Sequence, residues 1–271
     1  LEECLNSLLN QSYDNFEICL ADDCSTLEET KEVLREYDEK YEQVKVVYRE
    51  VNGHISEASN SALAQASGEF IGLVDNDDVL HKDALYYIVK ELNKNKLLDM
   101  IYSDEDKLDF DGKRCFPHFK SDFAIDTLRS SNYICHFTVI RKSIIDVIGG
   151  FRSEYNGAQD YDLFLRVTEV TNRISHVPKI LYHWRMTKGS TSSSGGNKNY
   201  AYLAGKKALE DYFKRNNTKV NIHLIGDPQM YKVEYLYDVE PSVSIIIPTK
   251  DKASVLDNCL KSIYEKTDYK N

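Results

Sequence analysis

Along the first half of the chain, short apolar runs alternate with stretches whose apolar residues recur at helical spacing. Residues 1–10 read as a helix. Phe16–Ala21 is a short apolar run that ends in Asp22-Asp23, as expected of a strand with polar groups at its C-terminal end. Thr26 is placed to cap the next helix, with Glu29 three residues on completing a capping box. Val44–Tyr48 reads as a strand, Ile55–Ala66 as a helix that stops at Gly68, and Glu69–Val74 as the next strand. The acidic run Asp75-Asn76-Asp77-Asp78 follows it directly, before a helix at Lys82–Asn93 and a strand at Asp99–Ser103. This alternation predicts the α/β class, with a mostly parallel central sheet flanked by helices. Ligands of such sheets bind at the carboxyl ends of the strands. Residues 22–23 and 75–78 both fall at such ends and could meet in space.

The second half is less regular. His136–Arg141 reads as a strand, Ala158–Glu169 as a helix with Phe164 and Val167 near one face, Ile180–Trp184 as a strand and Asn199–Arg215 as a long helix. Ser190–Gly196 is a Ser/Gly-rich loop, read equally as a lid near a site or as plain surface. The tail repeats the start: Leu256-Asp-Asn-Cys-Leu-Lys-Ser-Ile-Tyr264 matches Leu1-Glu-Glu-Cys-Leu-Asn-Ser-Leu-Leu9 at four of nine positions. Chance likeness of two amphipathic helices is the competing explanation, but the shared Leu-x-x-Cys-Leu-x-Ser favours a true repeat. The tail copy is preceded by an apolar strand, Ser242–Pro248, and the first copy begins at Leu1, inside its helix. The chain is therefore expected to start just after the first strand of one domain, and segment 243–248, from the same chain or from a neighbour, to fill the resulting gap by strand complementation.

Composition narrows the choice of function. At 42% hydrophobic and 29% charged, the 271 residues have an ordinary globular make-up. A net charge of −10 argues against a broad nucleic-acid surface, so no nucleic-acid partner is expected. A small phosphate-bearing ligand remains compatible, because a bound divalent cation reverses the local field. No apolar run approaches the ~20 residues of a membrane span, and no signal peptide is visible. None of the six cysteines forms a C-x-x-C pair, and Cys19 and Cys135 sit in apolar stretches that suit free thiols and a reducing, cytoplasmic setting.

Three further groupings accompany the acidic run: Leu20-Ala-Asp22-Asp23-Cys-Ser25, Gly157-Ala-Gln159-Asp160-Tyr-Asp162, and His183-Trp184-Arg185. In this order the motifs resemble those of a family 2 glycosyltransferase with the GT-A fold. The nearest type is the bacterial kind that builds surface polysaccharides and often carries tandem transferase domains. The resemblance covers residues 1–224 and again 241–271. It implies a GT-A domain lacking its first strand at 1–237, and at 238–271 a linker with the first strand and helix of a second transferase domain.

The resemblance also implies roles. Asp22 and Asp23 would accept hydrogen bonds from the nucleotide base, against the alternative of an Asx-turn. Asp77 would bind a metal, Mn²⁺ or Mg²⁺, while Asp75 faces the ribose, Asn76 lies beside the donor, and Asp78 caps the next helix. A hard cation there neutralises the diphosphate leaving group. An EF-hand reading fails, because Val79 and Leu80 occupy ligand and turn positions. Asp160 would be the general base that deprotonates the acceptor hydroxyl, with Gln159 in place of the commoner Glu; the alternative is a favourable helix-dipole contact. His183 would complete the metal shell and Arg185 meet the diphosphate, whereas a lone His in a strand is otherwise structural. Trp184 would stack on a sugar or pack in the core. Asp104 and Glu105, read at a strand end, would contact acceptor or sugar hydroxyls or form a solvated turn. Ser59 stands where the family often has Arg.

The expected activity is inverting, hexosyl-type transfer in one step from a UDP- or dTDP-linked sugar to a glycan or lipid-linked glycan in cell-surface polysaccharide synthesis. The expected setting is cytoplasmic, with peripheral association at the inner face of the membrane. Two rivals stand beside it. A metal-dependent nucleotidyltransferase would add a Gly-rich phosphate loop or a Lys/Arg cluster, and neither is evident. A non-catalytic sugar- or nucleotide-binding fragment would keep the fold without the turnover.

Overall fold

A computed structural model describes residues 1–187, 199–226 and 230–269. The expected alternation opens it: α1 (Glu2–Leu9), β1 (Ile18–Asp22), α2 (Glu28–Lys40), β2 (Val44–Tyr48), α3 (His54–Gln65) and β3 (Phe70–Leu73). Next come β4 (Val79–Leu80), α4 (Ala84–Lys94), β5 (Met100–Leu108) and β6 (Arg114–His118). The remainder is α5 (Ile125–Ser130), β7 (Thr138–Arg141), α6 (Lys142–Ile148), a 3-10 turn at Ser153–Tyr155, α7 (Gln159–Val170), β8 (Ile174–Arg185), α8 (Asn199–Arg215), the antiparallel pair β9 (Val220–Ile225) and β10 (Met230–Tyr235), and α9 (Ala253–Lys266). The loop read as a lid at Ser190–Gly196 lies outside the described residues.

The principal sheet runs β3-β7-β5-β8-β4, with β6 against β5. It is mixed rather than mostly parallel: β5 and β8 pair in parallel, whereas β7, β4 and β6 run antiparallel to their neighbours. Alternation along β5 divides the core between the two faces. Met100 and Tyr102 point to the face covered by α7 and α8, where Phe164, Leu209 and Phe213 pack. Ile101 points to the other, against Ala84 and Ile88 of α4. Helix α7 is buried all round from Tyr161 to Val167, rather than along one stripe. At roughly 1.5–3 kcal/mol per buried large apolar side chain, that helix is a rigid support.

The chain enters α7 through Gly157, at φ +96°, where a Cβ would lie 2.4 Å from the Tyr200 ring. Just inside the helix, the buried Asp162 accepts from Arg152 Nε at 3.1 Å and Arg166 Nε at 2.9 Å. Arg166 also donates to the carbonyls of Ile148 and Gly150. These bonds fix the first turn, which carries Asp160.

Strands β1 and β2 form a separate parallel pair. A third core of Leu5, Ile18, Tyr37 and Val44 ties them to α1 and α2, and Leu8 packs against both this core and the α4 side of the main sheet. Among the described residues, β1 pairs only with β2, and β3 only with β7. Glu17, just before β1, reaches across and accepts from the N–H groups of Ser67 at 2.6 Å and Gly68 at 2.9 Å, just before β3. Its other oxygen meets Lys45 at 2.5 Å.

Several expectations need correction. Segment 243–248 forms no strand and, among the described residues, no ladder with 16–21 or 69–74. Val243, Ile245 and Ile246 are exposed, and α9 buries no residue. The capping box at Thr26 does not form, because α2 starts at Glu28 with Leu27 as its N-cap and no side-chain cap bond. Strand β5 does not stop at Ser103 but continues through the acidic residues to Leu108.

The Glu17 bridge sets a pH dependence. Partial burial disfavours its charge, but Lys45 and the Ser67 and Gly68 donors outweigh that and hold the carboxyl down at about 2, against an ordinary 4.5. The stabilisation is present above about 4.5 and is lost as pH falls toward about 2. Urea melts of Glu17→Gln are expected to show about 2–3 kcal/mol less stability at neutral pH, with the difference from wild type vanishing below the folded value.

Candidate active site

The acidic run leaves β3 and turns back at once, the Asp78 N–H donating to the Asp75 carbonyl at 3.2 Å. Helix α1 braces this turn. Cys4 Sγ donates to the Asp75 carbonyl, Ser7 Oγ accepts the Leu80 N–H at 3.0 Å, and Gln11 donates to the His81 carbonyl at 2.8 Å. Strand β8 pins it from the other side. The Tyr182 hydroxyl accepts from Asp75 N at 3.1 Å and donates to Asp78 Oδ2 at 2.5 Å. Arg185 donates its backbone N–H to Asp78 Oδ1 at 2.7 Å and its Nε to the Asp77 carbonyl at 2.8 Å.

These bonds divide the run. Asp78 is fully buried, and burial pushes its carboxyl up to about 6 although Tyr182 and the Arg185 N–H work the other way. Asp75, Asn76 and Asp77 stay exposed. The Asp75 side chain is 52% exposed, with His136 Nε2 at 3.7 Å. Desolvation in this crevice pushes the Asp75 carboxyl upward, His136 opposes that, and Asp160 and Asp77 add to it. Asp160 is linked to this crevice through Asn132, four residues before His136. Its Oδ2 accepts from Asn132 Nδ2 at 2.7 Å, while the neighbouring Gln159 side chain turns back onto the Gly157 N–H.

His136 completes the crevice. Its ring stacks on Tyr182 at 4.6 Å and lies 5.5 Å from Trp184. Glu105 Oε2 meets its Nδ1 at 3.1 Å, which leaves Nε2 toward Asp75. Burial disfavours the imidazolium, but Glu105, Asp75 and Asp78 raise the His136 pKa to about 9. Ligand atoms of Asp75, Asp78 and His136 lie within 4.8 Å of one another. Two carboxylates and an imidazole so placed form a donor set that a hard or borderline divalent cation fits.

The other residues singled out from the sequence sit as follows. Arg185 lies against Asp77, and its guanidinium reaches Glu3 at 2.7 Å. Trp184 is half-buried beside His136, with Lys107 Nζ 4.7 Å from its ring centre. His183 is outside the three-residue group: its Nδ1 is held by Asp106 at 2.5 Å. Asp22 is buried and accepts the Ser25 N–H in an Asx-type turn. Asp23 meets Arg49 Nε at 2.9 Å and the Gly53 N–H at 2.9 Å. Among the described residues, no hydrogen bond or ion pair joins residues 22–23 to 75–78. Asp104 and Glu105 lie inside β5 rather than at a strand end, both buried. Asp104 is bonded to His176 at 2.8 Å and to the Lys120 N–H, and Glu105 to His118, His136 and Lys120. Sequence reasoning did not single out His136, Asn132, Lys120 or Tyr182. His136 stood only as the first residue of an expected strand, and no spacing rule ties it to a carboxylate 31 positions earlier.

Comparison with known proteins agrees with the geometry. The sequence model described as Glycosyl transferase family 2 matches residues 1–149. The uncharacterized protein y4gI of Sinorhizobium fredii is 44% identical over all of this chain and 30% of its own length. The O-antigen biosynthesis protein RfbC of Myxococcus xanthus is 35% identical over 99% of this chain and 21% of its own length. The chain thus spans less than a third of these relatives. Among solved structures, S. aureus TarS in complex with UDP-GlcNAc superposes with a TM-score of 0.63 at 24% identity, covering 78% of this chain and 62% of that one. No helix among the described residues is long and apolar enough to cross a membrane. The match over more than half of the sequence, together with the shared architecture, places this chain in glycosyl transferase family 2, with the GT-A fold.

Proposed function

We propose that this chain is an inverting transferase unit that moves a sugar from a nucleotide-diphosphate donor to a hydroxyl of a glycan in bacterial surface-polysaccharide synthesis. One observation carries the reading: loop 131–137 bonds Asp160, on the first turn of α7, through Asn132 at 2.7 Å and four residues later brings His136 to 3.7 Å from Asp75 of the acidic run. The Asp160 oxygen not bonded to Asn132 takes the hydroxyl proton, and the attacking oxygen displaces the nucleoside diphosphate in line. Arg185 lies against the same turn for the departing phosphates, and Asp75 and Asn76 face the donor. Asp22 and Asp23 are assigned to the nucleotide end, and Trp184 to the sugar. TarS, of the same fold, binds UDP-GlcNAc, and RfbC is named for O-antigen synthesis; both support a nucleotide-sugar donor and a surface glycan.

A divalent cation, Mn²⁺ or Mg²⁺, fits among Asp75, Asp78 and His136, with the exposed Asp77 on the same turn. When bound it would neutralise charge on the diphosphate. Both Asp78 oxygens already accept a hydrogen bond, so Asp75 and Asp77 offer the freer ligand atoms, and His136 would ligate on giving up its Nε2 proton. Asp104 and Glu105 act through the histidines they hold. Residues 238–271 are assigned to a second transferase unit, on the strength of the repeated Leu-x-x-Cys-Leu-x-Ser within α9. The unit works at the cytoplasmic face of the membrane on a glycan or lipid-linked acceptor.

Asp160→Asn is expected to lower kcat for transfer by roughly 10²–10⁴-fold with little change in donor binding; a variant that keeps the full rate would end the base assignment. Chelation with EDTA is expected to weaken UDP binding in calorimetry, and Mn²⁺ to restore it. Asp77→Asn or His136→Ala should reduce that Mn²⁺ effect by about tenfold. UDP affinity indifferent to Mn²⁺ in the wild-type protein would rule out the cation role and favour a metal-free or purely binding function.

A further inference from the structure

Loop 131–137, between α5 and β7, touches both halves of the crevice. Asn132 Nδ2 donates to Asp160 Oδ2 at 2.7 Å, and four residues later His136 Nε2 lies 3.7 Å from Asp75 Oδ2. The loop is held from beneath by Lys120, whose side chain is 0% exposed. Its ammonium donates to the Ile134 carbonyl at 2.6 Å and to the His136 carbonyl, with Glu105 Oε2 at 3.4 Å. All three donors are used, two of them on the loop backbone. Glu105 neutralises the buried ammonium and at the same time holds the His136 ring. Within the loop, Cys135 Sγ meets the Asn132 carbonyl at 2.9 Å, and Thr138 Oγ1 meets the Cys135 carbonyl at 2.8 Å.

Asn132 itself makes a costly choice. Its Nδ2 is committed to Asp160, while its Oδ1 is buried with no partner among the described residues. Buried polar atoms are rarely left unpaired without a reason. The amide cannot turn over to satisfy Oδ1, since that would set oxygen against the Asp160 carboxylate. The bond to Asp160 therefore dictates the orientation of the Asn132 side chain.

We propose that loop 131–137 is the positioning element of the transfer, with Asn132 aiming the Asp160 carboxylate toward the acidic run and Lys120 holding the loop in register. The proposal rests on the reading of Asp160 as the base. A carboxylate on the first turn of a helix can rotate about two side-chain bonds, and the like charge of Asp75 favours its swinging away. Anchoring one oxygen removes that freedom and leaves the other oxygen for the acceptor proton. Small losses of alignment at a reacting group cost large factors in rate.

The test compares kcat and donor KM for wild type, Asn132→Ala, Asn132→Ser and Asp160→Asn in the full chain, with crystal structures of the Asn132 variants. Asn132→Ala is expected to lower kcat by about 10–100-fold with donor KM within about twofold of wild type. Asn132→Ser, which keeps a hydrogen-bond donor, should recover part of the loss. The crystal structure of Asn132→Ala should show the Asp160 carboxylate displaced, a readout that does not depend on turnover. Wild-type kcat in Asn132→Ala beside an inactive Asp160→Asn would overturn the positioning role while sparing the base. An unmoved Asp160 carboxylate in Asn132→Ala would overturn it as well. Full activity in Asp160→Asn would remove the base reading and this proposal with it.

Discussion

The Tyr182 hydroxyl accepts the backbone N–H of Asp75 and donates to the Asp78 carboxylate, and the rest of the crevice is arranged around those two bonds. Together with the Arg185 N–H they bury Asp78 and so turn Asp75, Asn76 and Asp77 outward. The Tyr182 ring is fully buried and also forms the surface on which His136 stacks. One side chain of β8 thereby sets the direction of the acidic run and the height of the imidazole facing it. Helix α1 closes the far side of the turn through Cys4, Ser7 and Gln11, so the turn is clamped between a helix and a strand distant in sequence.

Charge is distributed on the same plan. Three consecutive acidic residues of β5 are buried, which would be prohibitive if they were unpaired. Each has a basic partner: His176 for Asp104, Lys120 with two histidines for Glu105, and Arg114 with His183 for Asp106. Such pairs do little for net stability, since desolvation offsets most of the attraction. What they provide is orientation, because imidazole and ammonium groups held by carboxylates cannot turn. Glu105 shows the consequence most clearly, as it is the only one of the three whose partner also faces the exposed acidic run.

The β1–β2 pair stands apart from the main sheet, connected through α3, the shared packing of Leu8 and the Glu17 bridge. That arrangement explains why Asp22 and Asp23, although at the end of a parallel strand, satisfy themselves locally with Ser25, Arg49 and Gly53. Among the described residues, no ladder joins β1 to β3, and Glu17 bridges their starts instead.

Much of this protein was legible from the chain alone. Period and punctuation located most elements to within a few residues, because local propensity and a one-sided apolar pattern decide where a helix or strand forms. The motif order pointed to glycosyl transferase family 2, which the match over residues 1–149 shows. The failures share a cause. Strand β5 runs past Ser103 because its carboxylates are buried, and their partners lie on β6, at Lys120 just beyond it, on β8 and in loop 131–137. The tail segment reads as a strand, yet strand formation needs a neighbour, and segment 243–248 pairs with none among the described residues. His136, Asn132 and Tyr182 carry no sequence signature, since their roles come from hydrogen bonds to residues 28 to 107 positions away. Sequence determined which chemical groups are present and which local shapes they adopt; only tertiary packing decided which charges meet, because burial and pairing are properties of neighbours in space.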